Sequence, residues 1–392
     1  MSSRVRLLFA LVMISAAARL LLQVAAMPPY AGLDEIYHVA RIVFVMNEGR
    51  NPLVDEKSVP QFVHDSLAAK PGSLPDFSHL HQQWPALVRG SYTLPPQKPL
   101  LAAEESEYPS VNYESQQPSI YYWIAALPAR LLPQQTPLTF LRLWRLQSVV
   151  FSLITVAAMA LFGYRLFGAA GMLPALLLPH LPTWQTLVTR ASNDALPCAL
   201  LAIALLVTSS GETRARIGEG IAWAVALTVK LYTWPALALM PVVWWWQRAS
   251  RARIVLVSVC CAAAMLLTVL EVRSRTGKTL GLFAFDEPQE QRVAAPVPID
   301  YPTVVKITIA SGIWMSGQHN NALTVAAMAA YVLPLLLVVA WVFMRNPPRE
   351  RATRLWLLTT AVVLAAFFCA QIINLAGFIR QARAAGSSLP LG

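Results

Sequence analysis

Within the eight residues Asp34-Glu35-Ile36-Tyr37-His38-Val39-Ala40-Arg41 stand two carboxylates, an imidazole and a guanidinium, just after an apolar run that ends at Met27-Pro28-Pro29. Prolines and Gly32 precede Asp34, and Ile36, Val39, Ala40 and Val43 follow at helical spacing. A helix is therefore expected to begin at Asp34. On it Asp34, His38 and Arg41, at i, i+4 and i+7, share one face. The other face is apolar, which suits a helix lying on a membrane surface. The pattern puts a carboxylate at a membrane interface beside a histidine and an arginine. Asp34 serves there either in chemistry or as the helix cap, a common role for aspartate. His38 is either part of that chemistry or a solvated or structural histidine. Glu35 points elsewhere on the helix, where it can cap, ligate a metal or do neither. Lys230 is a separate signal. It lies in Ala224-Val225-Ala226-Leu227-Thr228-Val229-Lys230-Leu231, where an ammonium is costly and by default suggests function. Its alternative is to snorkel to the interface.

The elements that must position these groups are membrane helices. The chain has 392 residues, 56% hydrophobic and 13% charged, with mean hydropathy +0.50. That charged fraction is about half of what a soluble domain carries. Nine apolar stretches approach the length of a span: 5–27, 146–164, 169–187, 195–209, 219–235, 236–247, 254–272, 321–344 and 355–377. The net charge of +11 does not point to nucleic acid, because most basic residues flank apolar runs instead of forming a stripe on a soluble domain. Cys198, Cys260, Cys261 and Cys369 lie inside apolar runs and read as small hydrophobes. The first segment follows Arg4 and Arg6 and reads as an uncleaved signal-anchor.

With the N-terminus in the cytoplasm, the pieces 1–6, 163–168, 209–220, 247–253 and 345–354 face inward. They carry twelve basic residues against Glu212, Glu219 and Glu350. Ser119–Pro133 is apolar but fifteen residues long with three prolines at or near its ends, and reads as interfacial or re-entrant. The chain then divides into a first transmembrane helix at 1–27, an extracytoplasmic loop at 28–145 and a helical bundle at 146–272. A second outer loop at 273–320, C-terminal transmembrane helices at 321–378 and a tail at 379–392 complete it. Residues 31–118 hold eleven of the twenty acids and four of the six histidines, so the first loop is expected to be functional.

Three blocks in this order resemble the GT-C superfamily of polytopic glycosyltransferases. Pro28-Pro29…Asp34-Glu35…His38 resembles its acidic motif after the first span. Gln117-Pro118-Ser119-Ile120-Tyr121-Tyr122-Trp123 resembles the block closing the first outer loop, with Ser119 in place of a second proline. Arg190-Ala191-Ser192-Asn193-Asp194-Ala195-Leu196 resembles the second acidic site, with Thr228-Val229-Lys230-Leu231-Tyr232 like the lysine block two spans later. The likeness covers roughly residues 5–250. It lies nearest two bacterial branches: the mannosyl- and aminoarabinose-transferases, and a membrane-protein family marked by proline, Asp-Glu and His.

The resemblance implies an all-α integral membrane fold, a GT-C-like bundle of about nine transmembrane helices whose large first outer loop contains juxtamembrane helices. It implies an inverting transfer, in the bacterial inner membrane, of a sugar from a polyprenyl-phosphate donor to a hydroxyl on a glycan, lipid or protein acceptor. Asp34, with Glu35 beside it, would be catalytic, and Asp34 would take the acceptor proton. His38, Arg41, Tyr121, Arg190, Asp194, Lys230 and His319 would contact substrate. Arg190 and Lys230 would set positive charge near the departing phosphate, with Arg41, Arg142 and Arg145 further cationic groups. Asp34 and Asp194 would be the ligands of a divalent cation, Mg or Mn, if one is used. Asp194 alternatively holds the acceptor or caps a helix, and His319 alternatively solvates a helix end. Two other functions are compatible with such a chain: a transporter or flippase of a lipid-linked sugar, and a non-catalytic membrane scaffold derived from such an enzyme.

Overall fold

The computed structural model describes residues 2–27, 29–30, 34–68, 108, 110–132, 135–210, 216–230, 233–234, 236–237, 240–246 and 248–276. The spans expected at 321–344 and 355–377, and His319, lie outside them. The described chain is mostly helical. In order it forms α1 (Ser3–Ala26), α2 (Glu35–Glu48), β1 (Lys57–Val59), α3 (Gln61–Ala68), β2 (Ser110–Val111), α4 (Ile120–Leu131) and α5 (Pro137–Phe167). Then follow α6 (Leu173–Leu177), α7 (Pro182–Val188), α8 (Ala195–Thr208), α9 (Arg216–Val229), α10 (Met240–Trp246) and α11 (Arg251–Thr276). The two short strands pair antiparallel, Lys57 opposite Val111 and Val59 opposite Ser110.

Among the described residues, three stretches are long and apolar enough to cross a membrane: Val5–Ala26, Pro137–His180 and Arg251–Thr276. This is a membrane protein. The apolar stretch at 169–187 is not one helix. Pro174, Pro179 and Pro182 lack the N–H that a continuous helix needs, and the segment is a chain of short helical pieces. It turns at Gly168, whose φ of 65° is left-handed, and packs back along α5. The approach is so close that a Cβ on Gly163 would lie 1.9 Å from the Gly171 carbonyl oxygen. The stretch at 219–235 also stops early, at Val229, so Lys230 sits just past a helix end and not within it.

Two further differences concern the loop after α1. Although α2 begins at Glu35 as expected, it does not lie on a surface with one face wet. Glu35, Ile36 and every residue from His38 to Met46 are buried, and the helix packs on α4 and β1. The segment 119–133 contains α4, twelve residues or ~18 Å of helix, too short to cross a bilayer. Its Tyr121, Tyr122, Ala125 and Ala126 are buried against α2, and Leu127 and Leu131 are exposed.

Arg253, near one end of α11, donates to the carbonyl of Thr208 at the end of α8. Arg275, at its other end, donates to the carbonyls of Ser115 and Gln117. Along α11 those ends are ~33 Å apart, whereas α8, fourteen residues long, rises only ~21 Å from Thr208. Residues 189–194 lead into α8 and Lys230 follows α9, and together they form a largely buried polar recess that meets Glu35 at the start of α2 through the Ala191 N–H.

Candidate functional site

The recess is built from charges on separate segments. Asp194 precedes α8, and its carboxylate is shared between two cations. Arg190 donates to Oδ2 at 2.6 Å, and Lys230 Nζ donates to Oδ1. Ser192 Oγ also donates to Oδ2, at 3.0 Å, and Lys230 donates to Asn193 Oδ1 at 2.9 Å. Lys230 is 8% exposed and paired, so it does not snorkel. Asp194 makes no side-chain cap to α8. Not every donor in this cluster is used among the described residues. Arg190 Nε and Asn193 Nδ2 are buried with no hydrogen-bond partner among the described residues. Buried donors of this kind are costly unless something accepts from them.

Glu35 is a structural clamp. Arg145 on α5 grips its carboxylate through Nε and Nη2 at 2.8 and 2.7 Å, and the Ala191 N–H donates to it at 2.9 Å. Arg145 also donates to the Met27 carbonyl at 2.7 Å. The pair therefore ties the end of α1, the start of α2, α5 and the 190–194 segment together. With both oxygens engaged and no exposure, Glu35 does not fit the catalytic role expected for it. Arg145 is likewise spent, and Arg142 on the same helix is exposed.

Asp34 differs from Glu35. Its backbone is left-handed, φ 57°, an uncommon conformation outside glycine that aspartate tolerates. Its carbonyl accepts the first helical bonds from Tyr37 and His38, but its side chain caps nothing. The capping alternative is thereby excluded, and Asp34 remains the partly accessible carboxylate at the start of α2.

His38 and Arg41 do share a face of α2, as their spacing predicts, but they meet Tyr122 of α4. His38 Nδ1 lies 2.9 Å from the Tyr122 hydroxyl, and the Arg41 guanidinium stacks over the Tyr122 ring at 3.8 Å. Arg41 donates to the Glu114 carbonyl and to Asn51 Oδ1. It is fully buried, and burial lowers its pKa to about 10. Arg41 thus braces the loop and does not stand among the phosphate ligands expected of it. Burial also holds the His38 pKa well below its ordinary value; Asp194 opposes that shift, and Lys230, Arg190 and Arg41 reinforce it. Tyr121 is 1% exposed and packs edge-on against Tyr122 in the core. That does not fit a substrate contact.

Glu114 is the residue that the spacing arguments missed. It lies in a single 3-10 turn, Tyr113–Gln116, and its carboxylate accepts from the Tyr122 hydroxyl at 3.2 Å. Burial raises its pKa to about 7, with Asp34 and Asp194 adding to the rise and Lys230 and Arg41 opposing it. No motif marks Glu114 in the sequence. Asn193 and Tyr122 were legible only as neighbours of residues already singled out.

A divalent cation does not fit Asp194 as placed, because Lys230 and Arg190 already neutralise it and hold both its oxygens. Among the described residues no three His, Cys, Asp or Glu side chains cluster as a metal group would. Cys198, Cys260 and Cys261 are free thiols.

The fold and this site define a helical membrane protein with a largely buried polar cluster in which Arg190 and Lys230 share the Asp194 carboxylate. Compared with known proteins, the chain matches no family model and no curated protein.

Proposed function

We propose that the chain transfers a sugar from a polyprenyl-phosphate donor to an acceptor hydroxyl, as a GT-C-type glycosyltransferase of a bacterial inner membrane. In this reading the full chain forms the bundle of about nine spans expected from the sequence. The end of the bundle carrying α2 and α4 faces away from the cytoplasm. The observation that carries the reading is the recess around Asp194. Two cations, Arg190 and Lys230, share one carboxylate there, and the N–H groups of Arg190 Nε and Asn193 Nδ2 have no acceptor among the described residues. A lipid phosphate supplies acceptors for these donors, and its charge suits the two cations beside them.

The acceptor oxygen attacks the anomeric carbon, and the bond from that carbon to the phosphate oxygen breaks. The electron pair leaves on the phosphate, whose charge Lys230 and Arg190 stabilise. The acceptor proton passes to Asp34, the carboxylate with no cap to make and no ion pair among the described hydrogen bonds. No general acid is required, because a phosphate leaves as an anion.

The test is incubation of purified protein with polyprenyl-phosphate sugars and measurement of released polyprenyl phosphate. Asp34→Asn is expected to insert and fold normally and to lose about 10²–10⁴-fold in turnover, the usual share of a positioned base. Undiminished release by that variant removes Asp34 from the role. A wild-type protein that releases nothing across the panel overturns the reading.

A further inference from the structure

The Glu114 carboxylate, the Tyr122 hydroxyl and His38 Nδ1 form a closed triangle between α2, α4 and the turn at 113–116. Its sides are 2.9 Å from Nδ1 to the hydroxyl, 3.2 Å from the hydroxyl to Glu114 Oε2, and 3.5 Å from Nδ1 to the same oxygen. All three side chains are buried. The other ring nitrogen of His38, Nε2, makes no hydrogen bond among the described residues. The charges acting on this ring are Asp194, Lys230 and Arg190 of the recess, together with Arg41.

Hydrogen counting couples the three groups. When Glu114 is ionised it can only accept, so Tyr122 donates to it. The hydroxyl oxygen is then free to accept from His38, which carries its hydrogen on Nδ1 and leaves Nε2 bare. When Glu114 is protonated it donates to the Tyr122 oxygen, Tyr122 donates to Nδ1, and the ring hydrogen must sit on Nε2. We infer that His38, Tyr122 and Glu114 form a proton relay, in which a proton taken up at His38 Nε2 is delivered to Glu114 without the imidazole ever becoming charged. One N–H bond forms at Nε2 as the Nδ1–H bond breaks. One O–H bond of Tyr122 is exchanged, and one forms on Glu114.

The electrostatics agree with this division of labour. Burial, with Lys230, Arg190 and Arg41 nearby, disfavours an imidazolium, while Asp194 favours it less strongly than burial opposes it. Burial also pushes the Tyr122 pKa well above its ordinary value, so its hydroxyl passes a proton on but does not lose one. Glu114, with a pKa of about 7, exchanges its proton near neutrality; Asp34 and Asp194 favour the protonated form, and Lys230 and Arg41 the ionised one. Only the use of the relay, to clear or supply the proton of the transfer, rests on the function proposed above.

The test reads tautomers directly. The full chain, labelled with ring-¹⁵N histidine and held in detergent micelles, is followed by long-range ¹H–¹⁵N spectra from pH 5.5 to 8.5. His38→Gln identifies the His38 signals. In the wild type the ring is expected to be neutral throughout, with its hydrogen on Nδ1 at high pH and on Nε2 at low pH, the midpoint lying near 7. Glu114→Gln is expected to hold one tautomer across the range. It keeps the brace from Arg41, which binds the main-chain carbonyl of residue 114 and not its carboxylate. Tyr122→Phe, which retains the ring under Arg41, is expected to abolish the switch as well. A single unchanging tautomer in the wild type, an imidazolium forming near pH 6.5, or a Glu114→Gln protein that still switches overturns the relay. These spectra require no sugar transfer, so an absent transferase activity leaves the relay standing, and an absent switch leaves the transfer reading standing.

Discussion

Glu35 and Asp34 are adjacent acids with opposite fates, and the difference is one of environment. Glu35 is wholly buried, and Arg145 opposite it is 3% exposed. Ion pairs removed from water contribute little net stability when intact but are costly to break, because the surviving charge is stranded. Glu35→Gln is therefore expected to destabilise the protein by about 3–5 kcal/mol. The double variant Glu35→Leu with Arg145→Met is expected to recover much of that loss. Thermal unfolding in detergent checks both. A single variant as stable as the wild type would show that the clamp does not hold α1, α2 and α5 together. Asp34 lies one residue earlier, in a strained backbone conformation with no cap to make, which fits a group kept for something other than stability.

At the scale of elements, the close return of the 168–172 turn along α5 depends on two facing glycines. A methyl on residue 163 would run into the backbone carbonyl of Gly171, which cannot rotate away as a side chain can. Gly163→Ala is expected to cost about 1–3 kcal/mol, the range for forced overpacking. Gly218 on α9 has nothing within 4 Å of the same added atom, so Gly218→Ala is expected to be neutral or to stabilise by up to about 1 kcal/mol. Aggregation temperatures of the two variants, measured side by side, give the comparison. Equal temperatures would mean that the 168–172 turn does not pack on α5 as described. The same segment shows why hydropathy alone misjudged 169–187: composition counts apolar residues, but prolines decide whether they form one helix.

At the scale of the molecule, the segment leading into α8 and the end of α9 bring Asp194, Arg190 and Lys230 together. The proposed orientation places Asp55 on the extracytoplasmic side and Arg251 in the cytoplasm, both exposed positions. A single cysteine at Asp55 is expected to react with a membrane-impermeant maleimide added to intact cells, and one at Arg251 only after lysis. The reverse pattern would invert the bundle and put the Asp194 recess on the wrong side for a donor presented outside.

Apolar run lengths and flanking arginines, read without coordinates, announce a helical membrane protein, because lipid leaves a backbone few other solutions. Local spacing likewise set the start of α2 and the shared face of His38 and Arg41, since helical periodicity is a short-range property. Partnerships were beyond its reach. That Glu35 would meet Arg145, that Lys230 would meet Asp194, and that Glu114 would close a triangle with Tyr122 and His38 depends on chain segments 8 to 110 residues apart. Only packing brings such segments together, and burial, which decides whether a charge is a brace or a reagent, exists only once they have met.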